Sequence, residues 1–354
     1  MALQAKIIGT GSYIPSEIQE NESFLHHEFL DEKGASYEHG NEVIIEKFQS
    51  ITGIQERRYA PAQFKASDLA FFAAETAIGD ANIDPEILDY IIVAHNFGDV
   101  EHGSHQSDML PSLAARVKHD LRIQNPKCVA YDVLFGCPGW IEGVIQAQAF
   151  IKSGMAKNCL VIGAETLSRI VDKYDRDSMI YSDGAGAVVL SATEETSGVL
   201  HHESASYTFD EAYFLFNGSS YNKSVRPDIK YIKMYGRKIY EFACKNVPTA
   251  MKDCLDKSGV GIEQVKKILI HQANEKMDEA IIKRFYKLYN LPVPEGVMPM
   301  IINTLGNSSV ATIPTLLDLM MKGKIENQSL HKGDVVIFAS VGAGMNINAM
   351  VYQF

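Results

Sequence analysis

Apolar positions along this chain switch between two periods. Short runs with few polar interruptions occur at Ala5–Gly9, Leu88–Ala94, Val129–Phe135, Asn158–Gly163 and Ala185–Ser191, and they have the length and β-branched content of buried strands. Between them lie stretches with apolar residues at helical spacing. Lys65–Ala81 is rich in Ala and Phe, with Ser67 and Asp68 as its cap, and Ser112–Leu121 and Gly139–Ser153 follow. The plan then repeats. Ile239–Lys257 sets Ile239, Phe242, Ala243, Val247, Ala250, Met251 and Leu255 on one helical face, and Pro248 inside it predicts a kink or a break. Strand Val265–Ile270, helix Ala273–Tyr289, helix Ser309–Met321 and strands Val335–Ser340 and Ala349–Tyr352 complete the series.

Strands alternating with helices predict an α/β fold built in layers with partly parallel sheets. The two series share their element order without a residue-level repeat. The least regular stretch, His201 to Lys230, contains Asn217-Gly218-Ser219-Ser220 and Arg226-Pro227-Asp228 and predicts a loop or insertion where two halves join. The expected organisation is an N-terminal half over 1–200, an irregular insertion or linker over 201–235, and a C-terminal half over 236–354.

Composition removes several classes of function. A net charge of −11 over 354 residues leaves no cationic excess for a nucleic-acid backbone. The five cysteines (128, 137, 159, 244, 254) are odd in number and contain no CxxC pair, which points to reduced thiols in a cytoplasmic setting rather than disulfides or zinc. The stretch from Met1 to Lys6 lacks the pattern of a signal peptide, and no run approaches the roughly 18 apolar residues of a membrane span, so no membrane insertion is expected. Glu101 to Asp108 carries two His, one Glu and one Asp, but they do not share one helical face, and no metal site is expected there.

Chemistry enters at Cys137. The strand ending at Phe135 and the helix from Gly139 leave Gly136-Cys137-Pro138 as a sharp turn, with a thiol at a helix N-terminus, where the thiolate is favoured. His271 directly follows a buried strand, Asn307 lies in Gly306-Asn307-Ser308-Ser309 ahead of a helix, and Gly342-Ala343-Gly344 follows the last long strand. Ligands in α/β folds meet the carboxyl ends of strands. A thiol, an imidazole and a carboxamide gathered there suit acyl transfer, with the backbone N–H groups of the cysteine turn and the glycine turn as an oxyanion hole.

Six segments occur together in one order: Gly9-Thr10-Gly11-Ser12-Tyr13-Ile14-Pro15, Thr52-Gly53-Ile54-Gln55-Glu56-Arg57-Arg58, Ser182-Asp183-Gly184-Ala185-Gly186-Ala187, His271-Gln272-Ala273-Asn274, Gly306-Asn307-Ser308-Ser309 and Gly342-Ala343-Gly344, with the cysteine turn between the second and third. In these the chain resembles 3-oxoacyl-ACP synthase III over nearly its full length. The resemblance implies a thiolase fold, two similar halves in an α-β-α-β-α arrangement, the first carrying the nucleophile and the second the His and Asn. It implies an acyltransferase of fatty-acid or related polyketide and lipid biosynthesis. Cys137 would take an acyl group from a thioester. His271 and Asn307 would hold the malonyl thioester carbonyl and the enolate formed as CO2 leaves. Backbone N–H groups of Cys137 and Ala343 would hold the oxyanion.

The same resemblance implies substrates carried on acyl-CoA and acyl carrier protein, no other cofactor, and a homodimer. Arg176 and Lys276 fall at positions that contact CoA or the carrier protein, and Met109, Leu110 and Trp140 are expected at the acyl pocket. The chain departs from the family's pattern at Phe48 and Ile51, near the usual Trp and Arg of an adenine clamp, and in the Leu134-Phe135-Gly136 approach to the cysteine. Two rival readings stay open at this point: condensation or acyl transfer without decarboxylation, which would use the same three residues, and a non-catalytic subunit of a heterodimer.

Overall fold

The computed structural model describes residues 3–354; Met1 and Ala2, part of the N-terminal stretch considered above, lie outside it. The chain opens with β1 (Gln4–Tyr13), β2 (Glu17–Glu20), α1 (Asn41–Thr52), β3 (Glu56–Tyr59) and α2 (Ala66–Ala81). It continues through β4 (Tyr90–Ala94), β5 (Asp99–Val100), β6 (Ser107–Asp108), α3 (Leu113–Asp120), β7 (Val129–Val133), α4 (Gly139–Lys152), β8 (Asn158–Thr166) and β9 (Asp183–Thr193). Then come β10 (Gly198–Ser206), β11 (Leu215–Gly218), β12 (Tyr231–Met234), α5 (Gly236–Ser258), β13 (Val265–Ile270) and α6 (Glu275–Lys287). The last elements are α7 (Ile302–Leu305), α8 (Thr312–Met321), β14 (Val335–Gly342) and β15 (Asn346–Gln353).

Two sheets carry the fold. One has the order β1-β9-β8-β4-β7 and the other β10-β15-β14-β13. Strands buried on both faces divide their side chains by period two. In β8, Cys159 and Val161 face one core while Leu160, Ile162 and Ala164 face another; in β14, Val336 and Phe338 face one core while Val335, Ile337, Ala339 and Val341 face another. The core shared by both sheets is filled by α4 and α8, while α2 and α3 cover the outer face of the first sheet and α5 and α6 that of the second. The result is five layers, α-β-α-β-α. Helices wedged between two sheets are apolar on almost every side, and α8 buries eight of its ten residues.

Several expected boundaries move for local reasons. The segment 201–235 is not an irregular linker: β10 begins at Gly198 and pairs with β15, and β11 pairs with β12 as a hairpin. The second sheet therefore recruits strand from before the join. α2 starts at Ala66 because the Asp68 carboxylate reaches back to the Lys65 N–H at 2.7 Å, while Ser67 is taken up by Asp99. α6 starts at Glu275 because Asn274 caps it, its Oδ1 accepting from the Met277 N–H at 3.0 Å.

α5 runs unbroken through Pro248. A proline cannot donate to the carbonyl four residues back, here that of Cys244. The Arg284 guanidinium of α6 donates to that carbonyl instead, at 2.9 Å. A neighbouring helix thus supplies the missing donor, and the helix does not break. Among the described residues no helix is long and apolar enough to cross a membrane, and no group of three or more His, Cys, Asp or Glu could hold a metal ion.

Candidate active site

Four separated segments meet at the floor of one cavity of about 840 Å3: Cys137, His271, Asn307 and Ala343 all line it. Each is brought there by the end of an element. The turn after β7 carries Cys137 into α4, β13 ends one residue before His271, and β14 ends at Gly342. Asn307 is fixed through its backbone. Its N–H donates to the Ile180 carbonyl at 3.0 Å, and its carbonyl accepts from the Ser182 N–H at 2.8 Å.

The cysteine turn and the glycine turn press against each other. A Cβ on Gly342 would clash with the Cys137 backbone nitrogen and come within 2.8 Å of Pro138 Cδ; one on Gly136 would come within 2.7 Å of the Ala343 nitrogen. Gly136 also has φ +68°, the left-handed region that glycine enters most easily. These two glycines are what allow the Cys137 and Ala343 backbone nitrogens to approach one site.

Electrostatics at the floor favour neutral groups. Burial pushes the His271 imidazole down to about 4, so at neutral pH it is an uncharged ring with one N–H to donate. Asn307 Oδ1 accepts from the Ser309 N–H at 2.8 Å, so the carboxamide presents its NH2 as the remaining donor. Gln272, fully buried, clamps the strand end: its Nε2 donates to the Pro299 carbonyl and its Oε1 accepts from the Ile301 N–H at 2.9 Å.

The thiol differs from expectation. Burial, with a smaller contribution from nearby Glu165, pushes Cys137 up to about 11 rather than down. α4 is capped at Pro138 and begins at Gly139, so Cys137 lies ahead of the first turn, and the helix terminus does not offset that burial. The one side-chain hydrogen bond that favours the thiolate comes from Ser309, whose Oγ lies 3.3 Å from Sγ.

Other expected site residues scatter. Arg176 lines the cavity and lays its guanidinium over the Tyr37 ring, 4.9 Å from the centroid. Phe48 and Ile51 also line it. Lys276 is exposed on α6 and outside the cavity lining. Trp140 is not a pocket residue: it is 1% exposed and packs edge-on against Phe338 in the core between the sheets. It follows Gly139 on the face of α4 that must fill that core. Met109 and Leu110 do not line this chain's own cavity; they stand out on the surface, Leu110 at 89% exposure.

Sequence reasoning missed three residues beside the thiol. The sequence places Ser309 in the Gly306-Asn307-Ser308-Ser309 motif and at a helix start without a role at the thiol, and it does not single out Asn96 or Glu165. Asn96 Nδ2 donates to Ser309 Oγ at 3.1 Å and to Glu165 Oε1. The available signal was a polar residue at the carboxyl end of an apolar strand, Asn96 just past β4 and Glu165 near the end of β8. The cavity's outer wall was also missed. It comes from α1 and the β11–β12 hairpin, with Val43, Phe48, Leu215, Phe216 and Met234 as apolar lining and Lys47 and Arg237 among its charges.

Comparison with known proteins identifies the family. The description of 3-oxoacyl-[acyl-carrier-protein (ACP)] synthase III matches residues 131–208, and that of its C-terminal part matches residues 255–354. The beta-ketoacyl-[acyl-carrier-protein] synthase III of Caldanaerobacter subterraneus subsp. tengcongensis is 34% identical, covering 99% of this chain and 98% of the relative. A beta-ketoacyl-[acyl-carrier-protein] synthase III of Vibrio vulnificus is 32% identical over 99% of this chain and all of the relative (100%). The crystal structure of 3-oxoacyl-[acyl-carrier-protein] synthase III from Aquifex aeolicus superposes with a TM-score of 0.81 at 30% identity, covering 99% of this chain and 100% of that one.

Proposed function

The chain belongs to the 3-oxoacyl-[acyl-carrier-protein] synthase III family, an acyltransferase-type ketosynthase of fatty-acid or related biosynthesis with the thiolase fold, and on that premise we propose how its cavity works. Cys137 takes the acyl group of a primer thioester. The oxyanion of that step is held by the backbone N–H groups of Cys137 and Ala343. A malonyl thioester then enters, and its carbonyl oxygen accepts hydrogen bonds from the neutral His271 ring and the Asn307 NH2. As CO2 leaves, the same donors stabilise the enolate, which attacks the acyl-Cys137 carbonyl. The thiolate departs and the 3-oxoacyl product is released.

The observation that carries this reading is the convergence of Cys137, His271, Asn307 and Ala343 on one cavity floor. Charge-neutral donors suit the decarboxylation, because a developing enolate gains most from fixed dipoles that need no proton transfer. A thiol resting near 11 makes acylation the step that needs help, and over the exchange its proton ends on the sulfur of the departing carrier thiol.

Acyl carrier protein is the partner that the family membership brings. The primer is proposed to arrive on CoA, with Arg176 and Tyr37 on the cavity wall as its nearest polar and aromatic contacts. A cytoplasmic homodimer completes the proposal. β7 is the edge of its sheet, and Val129, Leu134 and Leu110 expose 47%, 60% and 89% of their surface around it. A second copy covering this edge would also bring Met109 and Leu110 towards a neighbouring cavity.

Intact-protein mass after incubation with acyl-CoAs of graded length, beside Cys137→Ala, tests the nucleophile. An acyl increment present in the native protein and absent from the variant is expected, followed by a 3-oxo product when malonyl-ACP is added. A folded protein that accepts no acyl group from CoA or carrier protein rejects it. Condensation with no CO2 release would instead select the non-decarboxylative reaction.

A further inference from the structure

Three buried or half-buried polar side chains stand in a line behind the proposed nucleophile. Glu165, 1% exposed near the end of β8, accepts from Asn96. Asn96 also donates to Ser309 Oγ at 3.1 Å, and the Ser309 hydroxyl lies 3.3 Å from Cys137 Sγ. A carboxamide donates only through its nitrogen, and Asn96 Nδ2 is the atom that faces both Glu165 Oε1 and Ser309 Oγ. With an Asn96 hydrogen on Ser309 Oγ, the single Ser309 hydrogen is left to donate, and Cys137 Sγ at 3.3 Å shares it with the Glu165 carboxyl, which the hydroxyl also reaches.

The backbone shows that this placement is maintained against a cost. Ser309 adopts φ +53°, a left-handed conformation uncommon for non-glycine residues. Its N–H is held by Asn307 Oδ1, so the residue that donates to the thiol also orients the enolate-binding amide.

We propose that Glu165, Asn96 and Ser309 form a positioning relay that aims one hydroxyl donor at Cys137 Sγ and thereby sets how readily that thiol becomes a nucleophile. The inference rests on Cys137 as the nucleophile of the reaction above. Ser309 touches the reacting atom; Asn96 and Glu165 act through it. The Ser309 hydrogen bond works against the burial that raises the thiol. Burial also pushes Glu165 up to about 8, so near neutrality its role is that of an acceptor for Asn96 rather than of a charge.

The test reads the thiol directly, by the pH dependence of Cys137 alkylation with iodoacetamide, located by peptide mass. Ser309→Gly removes the hydroxyl while giving the left-handed position its most comfortable residue. Asn96→Asp replaces the donor by an acceptor and draws the Ser309 hydrogen away from sulfur. Both are expected to move the alkylation profile at least one pH unit upward, a loss of about tenfold in rate at pH 7.5. Glu165→Gln keeps an acceptor for Asn96 and is expected to stay within about threefold of the native rate, whereas Glu165→Leu is expected to follow Ser309→Gly. Native-like profiles in folded Ser309→Gly and Asn96→Asp would overturn the relay, and these two decide the matter if Glu165→Leu does not fold. Failure of the ketosynthase reading is seen separately, as absence of the acyl increment in the native protein.

Discussion

Gly342 and Cys137 lie 205 positions apart, yet a single Cβ on Gly342 would strike the Cys137 backbone nitrogen and stand 3.0 Å from Cys137 Cβ. The atoms it meets are backbone and a proline ring, which cannot swing aside as the end of a long side chain can. Gly342→Ala is therefore expected to push the cysteine turn away from Ala343. Loss of one oxyanion donor costs about 100- to 1000-fold in rate, and an overpacked contact about 1–3 kcal/mol of stability. Acylation kinetics by intact mass, with urea denaturation alongside, would show both. Gly79→Ala, on α2 with open space around it, is the control: it should leave acylation unchanged and raise stability by about 0.5–1 kcal/mol through helix propensity. Acylation within tenfold of native in Gly342→Ala would reject the two-nitrogen oxyanion site.

The burial of Trp140 separates stability from specificity. Its ring packs on Phe338 between the two sheets, away from the cavity. Trp140→Ala should cost about 3–5 kcal/mol, the usual range for a large aromatic truncated in a core. It should leave the preferred acyl length unchanged. Phe216→Ala, on the cavity wall, should do the reverse: little loss of stability and a shift towards bulkier acyl groups. A changed acyl profile in folded Trp140→Ala would return that residue to the pocket.

What could be read from sequence followed the range of the interaction involved. Strand and helix identity depends on neighbours within a turn or two, so β4, β8, β13 and β14 and the two central helices were visible in the apolar pattern. So were Cys137, His271 and Asn307, because each is a polar residue of a short motif at the junction between two elements. Pro248 was misleading because its compensation, Arg284, sits on another helix. The Cys137 thiol was misjudged because proximity to a helix start is local, whereas the burial that dominates it comes from the whole cavity floor. Asn96 and Glu165 escaped notice because nothing beside them in the chain resembles a site; they gain meaning only through Ser309, more than 140 residues away. The β11–β12 hairpin was hidden among turn-forming residues, and its anchor is likewise distant.

That anchor is Lys233. It lies buried between Asp172 and Asp175, 2.8 Å from each, with its ammonium over the Tyr221 ring. Asp172 in turn accepts from the Ser220 hydroxyl and the Tyr221 N–H, so one carboxylate pair ties both ends of the 219–233 segment to the body of the fold. Lys233→Met would leave two buried carboxylates without their cation, at a cost of about 3–5 kcal/mol. The hairpin forms a cavity wall through Leu215, Phe216, Ile232 and Met234, so the apparent KM for the acyl donor should rise as well. Adding Asp172→Asn and Asp175→Asn should recover much of the stability. Chemical denaturation decides it: a loss below 1 kcal/mol for Lys233→Met would show that the cluster does not secure the hairpin.

Glu165 and His271 pull the pH dependence of stability in opposite directions. Burial raises the Glu165 carboxyl from 4.5 to about 8. Between those values the folded protein keeps a proton that the unfolded chain has released, so its contribution to stability falls as pH rises. Burial lowers His271 from 6.5 to about 4, and there the unfolded chain binds a proton that the folded protein refuses, so stability falls as pH drops through that window. At about 1.4 kcal/mol per unit of displacement, Glu165→Gln should gain about 3 kcal/mol over the native protein at pH 7 and nothing at pH 4. His271→Asn should show the mirror image, gaining on the native protein only below pH 6.5. Urea denaturation of the three proteins across pH 4 to 8 gives the comparison. Parallel stability curves for native protein and Glu165→Gln would mean that this carboxyl is charged when folded, and the Asn96 contact would then be an ion–dipole bond supporting a fixed negative charge beside the thiol.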